Sequence, residues 1–373
     1  MTTHRAEALQ RPIERDPLAA GLMPEQLALM RRMPKAELHL HLDGSLRPAT
    51  ALELARERGL DAGMEIAEMA ERLIGPERAA DQAELLRAFD LPIAILQDAE
   101  SLTRVSHELV EDVATDGTRY VEIRWGPALH VERGLSLRDG IAAVVAGVRS
   151  GAVSAGGGPG IVVRLIAVAL RSHAPGLNVD VAREAARFLG DGLTGFDLAG
   201  REAAFPDPLL HAEAFELARA AGLGITVHAG EWGGAAQVRR ALVLDPERIA
   251  HGPLAIDDPD LVRELIARGV WLDLCPTSNA QASIVASIEG HPLRRLLHAG
   301  VSVTLSTDDL TVSDVTLSDE YVRAVERIGV TLPELWALDL AALEAAFCDE
   351  PTRDRLRAAF RAWGDGIPEL GQA

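Results

Sequence analysis

The chain has 373 residues, a formal net charge of −19 and 48% apolar residues. That mix excludes a disordered, collagenous or disulfide-framed protein and leaves room for one large α/β domain or two ordinary ones. So acidic a surface repels phosphate backbones, which argues against nucleic acid as a partner and for a neutral or cationic small substrate.

The first 24 residues are studded with Arg, Glu, Asp and Pro and lack the apolar centre of a signal peptide. Residues 1–30 read as an extension with a leading helix, and residues 31–373 as a single domain. Apolar β runs follow at 36–42, 118–125, 161–170, 193–198, 224–228, 248–251, 270–274 and 301–306. Most are rich in Val, Ile, Leu or Thr without strict alternation, as strands buried on both faces are. Amphipathic stretches separate them at 101–115, 137–148, 180–189, 208–221, 235–244, 258–267 and 292–298. The Asp258…Gly269 pair reads as a helix start and stop. Eightfold strand–helix alternation predicts a (β/α)8 TIM barrel, with an open doubly wound sheet as the alternative. The gap from 43 to 117 is expected to hold extra helices over one barrel mouth, and the chain from 317 onward to be helical. The GGGPG cluster at 156–160 lacks the GK[ST] of a phosphate loop and reads as a plain loop. No apolar run approaches the roughly 18–20 residues of a membrane span. Two cysteines, Cys275 and Cys348, without a CxxC pair suit a reducing cytoplasm.

Barrel enzymes place their chemistry at the C-terminal strand ends. Here those ends read His39-Leu40-His41-Leu42-Asp43, Asp197-Leu198-Ala199-Gly200, His228-Ala229-Gly230-Glu231, His251-Gly252 and Thr307-Asp308-Asp309. His39 and His41, two residues apart, share one face of a strand. With His228 and Asp308 they form an N3O donor set suited to one divalent ion, Zn2+ by preference. A metal so held makes a nucleophile of water near neutral pH. His251 is available to orient that water, and Glu231 to donate a proton to a leaving group. Lys35 is the only lysine and precedes the first strand, so a lysine-bridged two-metal centre is not expected.

The motifs PKAELHLHLDGSLRP (34–48), FDLAG (196–200), HAGE (228–231), RIAHG (248–252), LCPTSN (274–279) and STDD (306–309) occur in that order. In this the chain resembles the adenosine deaminase family of the amidohydrolase superfamily. The resemblance implies zinc on His39, His41, His228 and Asp308. It implies Glu231 as proton donor to the purine ring nitrogen beside the attacked carbon. His251 would accept or steer the proton of the attacking water. Asp309 would bond the imidazole edge of the purine, the Gly200 N–H its pyrimidine edge, and Asp43 would lie near the ribose 5′-hydroxyl. The segment 84–95 resembles a lid, with Leu85, Leu86 and Phe89 as gate residues. Leu310 stands where the family often has Pro. The implied reaction converts adenosine or 2′-deoxyadenosine to the inosine product and ammonia. Alternatives are adenine, 6-amino-6-deoxyfutalosine of menaquinone synthesis, or a catalytically inactive binding barrel. The sequence leaves the oligomeric state open. His107, His211 and His298 are expected on helix surfaces or boundaries, His130 and His173 beside the pocket, and Ser278 and Asn279 along the ribose site.

Overall fold

The computed structural model describes residues 21–156 and 160–371; the first twenty residues of the extension and most of the GGGPG loop lie outside them. Eight strands follow one another as β1 (Lys35–His41), β2 (Thr118–Trp125), β3 (Val162–Leu170), β4 (Leu193–Ala199), β5 (Gly224–Ala229), β6 (Arg248–His251), β7 (Trp271–Leu274) and β8 (Val303–Leu305). Each pairs in parallel with the next, in sequence order. Closure comes from the chain beyond β8. There the Asp308 N–H donates to the His39 carbonyl (3.0 Å) and the His41 N–H to the Asp308 carbonyl (2.7 Å). The result is a (β/α)8 barrel, as the alternation predicts. β8 starts two residues later than expected, because the Val301 N–H is still bonded to the Leu296 carbonyl at the end of the preceding helix (3.1 Å).

Helix starts follow local chemistry. Asp98 caps Ala99–Thr115 through the Ser101 N–H, Ser136 caps Leu137–Ser154, and Asp258 caps Pro259–Arg268, which stops at Gly269. The third helix starts at Pro175, five residues before the expected Asp180, because a proline at the first turn is already set for helix. Asp180 instead pairs with Arg183 within the helix. Between β1 and Ala99–Thr115 lie Pro48–Glu57, Ile66–Leu73, Gln82–Leu86 and Asp90–Ile95. The C-terminal part adds Leu317–Arg323, Leu332–Ala345 and Glu350–Gly364.

The outer faces of the strands, such as Leu38, Leu40, Val121, Ile123 and Ile225, are buried against the helices. The barrel interior is unusually polar. Arg124 reaches Asp197 (3.0 Å) and lies 3.7 Å from Asp273, while Arg248 pairs with Glu122 and lies 3.2 Å from Asp273. All five of these side chains are fully buried. Below them Phe347 closes the N-terminal end, stacked 3.9 Å from the Arg248 guanidinium. Lys35 sits at this same end, its ammonium donating to the carbonyls of Arg31, Met33 and Asp116.

Candidate active site

The residues singled out at the strand ends converge on the opposite, C-terminal mouth. His39 and His41 project inward from β1, His228 from β5 and His251 from the end of β6, and Asp308 follows β8. His39 Nε2 lies 3.0 Å and His41 Nε2 3.4 Å from the same Asp308 oxygen. His41 Nε2 is 3.2 Å from His228 Nε2. The donor atoms of His39, His228, His251 and Asp308 lie within 4.8 Å of one another. His251 thus falls within this group, whereas His41, one of the four expected ligands, is outside it and reaches the cluster through Asp308 and His228.

This cluster fits a divalent ion. His39 Nδ1 is buried without a hydrogen-bond partner, and Nε2, though 3.0 Å from Asp308, makes no well-aligned hydrogen bond, a costly arrangement unless a ligand satisfies them. Burial pushes His39 well below the usual imidazole range and His41 down to about 3, so both rings are neutral and present lone pairs. His228 Nδ1 lies 2.8 Å from Asp197 Oδ2. A carboxylate behind an imidazole in this way turns its other nitrogen into a bare donor, the usual support of a metal-binding histidine. Burial alone would raise Asp308, but the surrounding imidazoles hold its carboxyl well below the carboxylate range. Ser278 Oγ adds a hydrogen bond to Asp308 Oδ2 at 2.6 Å.

Around this centre stand three carboxyls with the opposite tendency. Burial, followed by the charge of Asp308, pushes Glu231 well above its ordinary value. Burial and the charges of Asp308 and Asp43 do the same to Asp309. Burial pushes Asp43 up to about 6. Glu231 Oε1 is 3.5 Å from His251 Nε2. The Asp43 oxygens lie 4.0 Å from His41 Nδ1 and 3.9 Å from His130 Nε2. One ionised carboxylate among imidazoles, beside the Glu231 and Asp309 carboxyls that burial biases toward their protonated forms, can bind a cation and deliver protons from the same pocket. Of the three residues expected to gate a lid, Leu85 packs with Val312 and Ala282, against Phe89 and Trp232; Leu86 is outside that cluster.

A family model described as adenosine deaminase matches residues 34–363. The chain belongs to the adenosine deaminase family. It is 36% identical over 331 residues to an adenosine deaminase of Clostridium perfringens, a match that covers 88% of this chain and 98% of that one. Among solved structures it is similar to a zinc-bound amidohydrolase from Burkholderia ambifaria (TM-score 0.83, 27% identity, 93% and 95% of the two chains). It is also similar to an Arabidopsis N6-mAMP deaminase (TM-score 0.80, 29% identity, 90% and 99%).

Within this member of the adenosine deaminase family, several site residues escape a reading of motifs alone. Asp197 receives the His228 and Leu198 N–H groups on Oδ1 (3.2 and 2.7 Å) as well as facing the His228 ring. Glu202 accepts from the N–H groups of Gly230, Trp232 and Gly233 and so shapes the turn that bears Glu231. Gln82 ties its helix to the loop after β4, donating to the Gly200 carbonyl (3.3 Å) and accepting from the Glu202 N–H (2.8 Å). Ser278 and Asn279, expected along the ribose, are instead bonded to Asp308 and His251. His130 is buried beside Asp43 as expected. His107 and His298 lie on helix surfaces, whereas His211 is buried and bonded to Asn178. Cys275 is a buried thiol.

Proposed function

We propose that the protein is a zinc-dependent hydrolase that deaminates adenosine and 2′-deoxyadenosine to inosine and 2′-deoxyinosine with release of ammonia. The observation that carries this reading is the convergence of the His39, His41 and His228 imidazoles, the Asp308 carboxylate and the Glu231 carboxyl, which burial favours in its protonated form, at one barrel mouth. His39, His41, His228 and Asp308 would hold the zinc, which when bound supplies an activated water as nucleophile.

The protein's own groups would do the rest. Burial and the charge of Asp308 favour the protonated form of Glu231, which can deliver its proton to the ring nitrogen beside the carbon under attack. Asp309, pushed the same way, can donate to an acceptor on the imidazole edge of the purine, as a carboxyl held neutral in an apolar site does. The Gly200 N–H would serve the pyrimidine edge. Gly200 adopts φ +105°, a conformation that favours glycine. Its carbonyl is pinned by Gln82. His251 orients the nucleophile, and the lid excludes water.

A nucleoside rather than a nucleotide is favoured by Asp43. That carboxyl is buried at the pocket wall with Oδ1 unpartnered, and the chain's single lysine stands at the other end of the barrel. A 5′-phosphate would meet an acidic group there, whereas a 5′-hydroxyl would meet an acceptor. A cytoplasmic location accords with the two unpaired thiols.

The test is ammonia release by zinc-loaded protein with adenosine, 2′-deoxyadenosine, adenine, AMP, N6-methyl-AMP and 6-amino-6-deoxyfutalosine in parallel. Adenosine and 2′-deoxyadenosine are expected to lead. Preference for a monophosphate would refute the role of Asp43, and no release from any of them with zinc bound would refute the substrate class. Glu231→Gln should retain zinc and lose about 10²- to 10⁴-fold in rate, and His228→Ala should lose both.

A further inference from the structure

His251 is the end of a buried hydrogen-bond chain in which a single backbone group sets every proton. The Leu293 N–H points at His291 Nδ1, 3.2 Å away. A backbone N–H can only donate, so His291 Nδ1 accepts. Burial pushes His291 down to about 3, so the ring is neutral and its one proton is on Nε2. His291 Nε2 lies 3.1 Å from Asn279 Oδ1 and donates to it. The Asn279 amide is thereby oriented with its NH2 toward His251 Nδ1, at 3.1 Å. An NH2 only donates, so His251 Nδ1 accepts as well. The neutral His251 ring must then carry its proton on Nε2, facing Glu231 Oε1 at 3.5 Å and Asp308 Oδ2 at 3.8 Å.

We propose that Asn279 and His291 are positioning residues that lock His251 in the Nε2–H tautomer, so that it meets the attacking water as a hydrogen-bond donor rather than as a base. The relay is rigid. Asn279, His291 and His251 are each at most 3% exposed. The Asn279 backbone is tied at both ends, its N–H to the Cys275 carbonyl and its own carbonyl to the N–H groups of Ile284 and Val285. His251 itself is held at φ +73°, a conformation rare for a non-glycine residue, so its ring has little freedom to seek another partner. With Nε2 protonated, His251 can donate to a lone pair of the attacking oxygen, and the proton that leaves that oxygen passes to Glu231 once Glu231 has given its own proton to the ring nitrogen. Glu231 Oε1 lies 3.5 Å from His251 Nε2.

The kinetic part of this inference rests on the deaminase reading; the tautomer does not. Histidine labelled with ¹⁵N in the ring, incorporated into the zinc-loaded protein, reports through long-range ¹H–¹⁵N spectra which nitrogen of each neutral ring bears the proton. The His251 signals are assigned by their loss in His251→Gln. The wild type is expected to show His251 as Nε2–H; an Nδ1–H signal overturns the proposal. In Asn279→Asp the carboxylate can only accept, so a proton should appear on His251 Nδ1; an unchanged tautomer overturns it too. With zinc content unchanged, Asn279→Asp should lower kcat about 100-fold or more, the scale on which a wrong tautomer or a lost oriented donor acts, while KM moves little. His291→Leu breaks the relay at its root and should lower kcat by about tenfold. His291→Gln, which keeps a donor toward Asn279, should recover most of that loss. Wild-type kcat in both Asn279→Asp and His291→Leu overturns the positioning role. If the wild type deaminates no purine, the deaminase reading fails while the tautomer spectra still decide the relay.

Discussion

The contact between Gly44 and Asp309 gives a test of the purine-side carboxyl that leaves every donor to the metal in place. Gly44 follows Asp43 at the tip of β1, and its carbonyl accepts from the N–H groups of both Thr311 and Val312 at 3.1 Å. A methyl group on Gly44 would fall inside the Asp309 carboxyl and 2.9 Å from Phe89 Cε1. The Gly44 backbone cannot retreat without breaking two hydrogen bonds. The Asp309 backbone is equally confined, because Asp308 before it is woven into β1. In Gly44→Ala the Asp309 side chain therefore rotates out of the pocket and the lid shifts at Phe89. Overpacking of this kind costs about 1–3 kcal/mol of stability, which leaves the protein folded. Loss of one hydrogen bond in which a carboxyl takes part costs about 1.5–3 kcal/mol in transition-state binding, or about 10- to 150-fold in kcat/KM. Steady-state ammonia release on Gly44→Ala, Asp309→Ala and the double variant measures it. Because both changes remove the same contact, the double variant should lose no more than Asp309→Ala alone. Near wild-type kcat/KM in a folded, metal-replete Gly44→Ala, or losses that simply multiply, would refute the placement of Asp309 against the substrate.

Three further outcomes are expected. Stripping the metal with a chelator should abolish ammonia release and lower the melting temperature, because an ion bound only by the folded state stabilises it by mass action; one equivalent of Zn2+ should restore both. Arg248→Met should lower the unfolding free energy by about 3–5 kcal/mol in a urea titration, since it leaves Glu122 and Asp273 buried without their partner. Glu320 and Asp339, buried among the C-terminal helices, are both pushed up to about 7 by burial. The unfolded chain releases these protons near pH 4, and the folded one holds them up to about pH 7. Their contribution is thus complete below about pH 4 and is lost as pH rises to about 7. Urea midpoints should fall between pH 5 and pH 8, and the double variant Glu320→Gln/Asp339→Asn should flatten that slope.

The barrel was legible because parallel strands covered on both faces leave continuous apolar runs, and seven of the eight runs begin and end within one residue of the observed strand. β8 is the exception: its run begins at 301, where the backbone is still bonded to the end of the preceding helix, two residues before the strand. The mouth was legible for a related reason. Ligand and acid–base residues stand at or just beyond the C-terminal ends of β1, β5, β6 and β8, so chain order alone brings His39, His41, His228, Glu231, His251 and Asp308 together once the barrel closes. The residues that hold them were not legible. Asp197 reads as the last polar residue of an apolar strand, yet it braces the His228 ring. Arg124 and Arg248 are single charges in apolar β runs, and nothing along the chain shows that both are wholly buried in the barrel. His291 precedes a short helix and resembles a cap more than a part of the site. Each of these acts through a partner on a different strand or loop, and such a pairing has no period along the chain.

Backbone conformation was the other hidden quantity, and it bears directly on function. His251 and Asp308, at the ends of β6 and β8, adopt φ +73° and +71°. A side chain at a regular strand end would continue the pleat and face either the helices or the next interior layer. Bending the backbone into the left-handed region at these two points instead turns an imidazole and a carboxylate toward the same few ångströms of space. That conformation costs about 1–3 kcal/mol at each residue, and it survives because the surroundings over-determine it. Asp308 is held by two backbone hydrogen bonds to β1 and by Ser278, and His251 by the Asn279–His291 chain. Relieving the strain would therefore dismantle the cluster. A glycine at position 308 would adopt the same backbone at less cost but forfeit the carboxylate. The strain is thus best understood as the cost of aiming two reactive side chains from strands that, left straight, would point them apart.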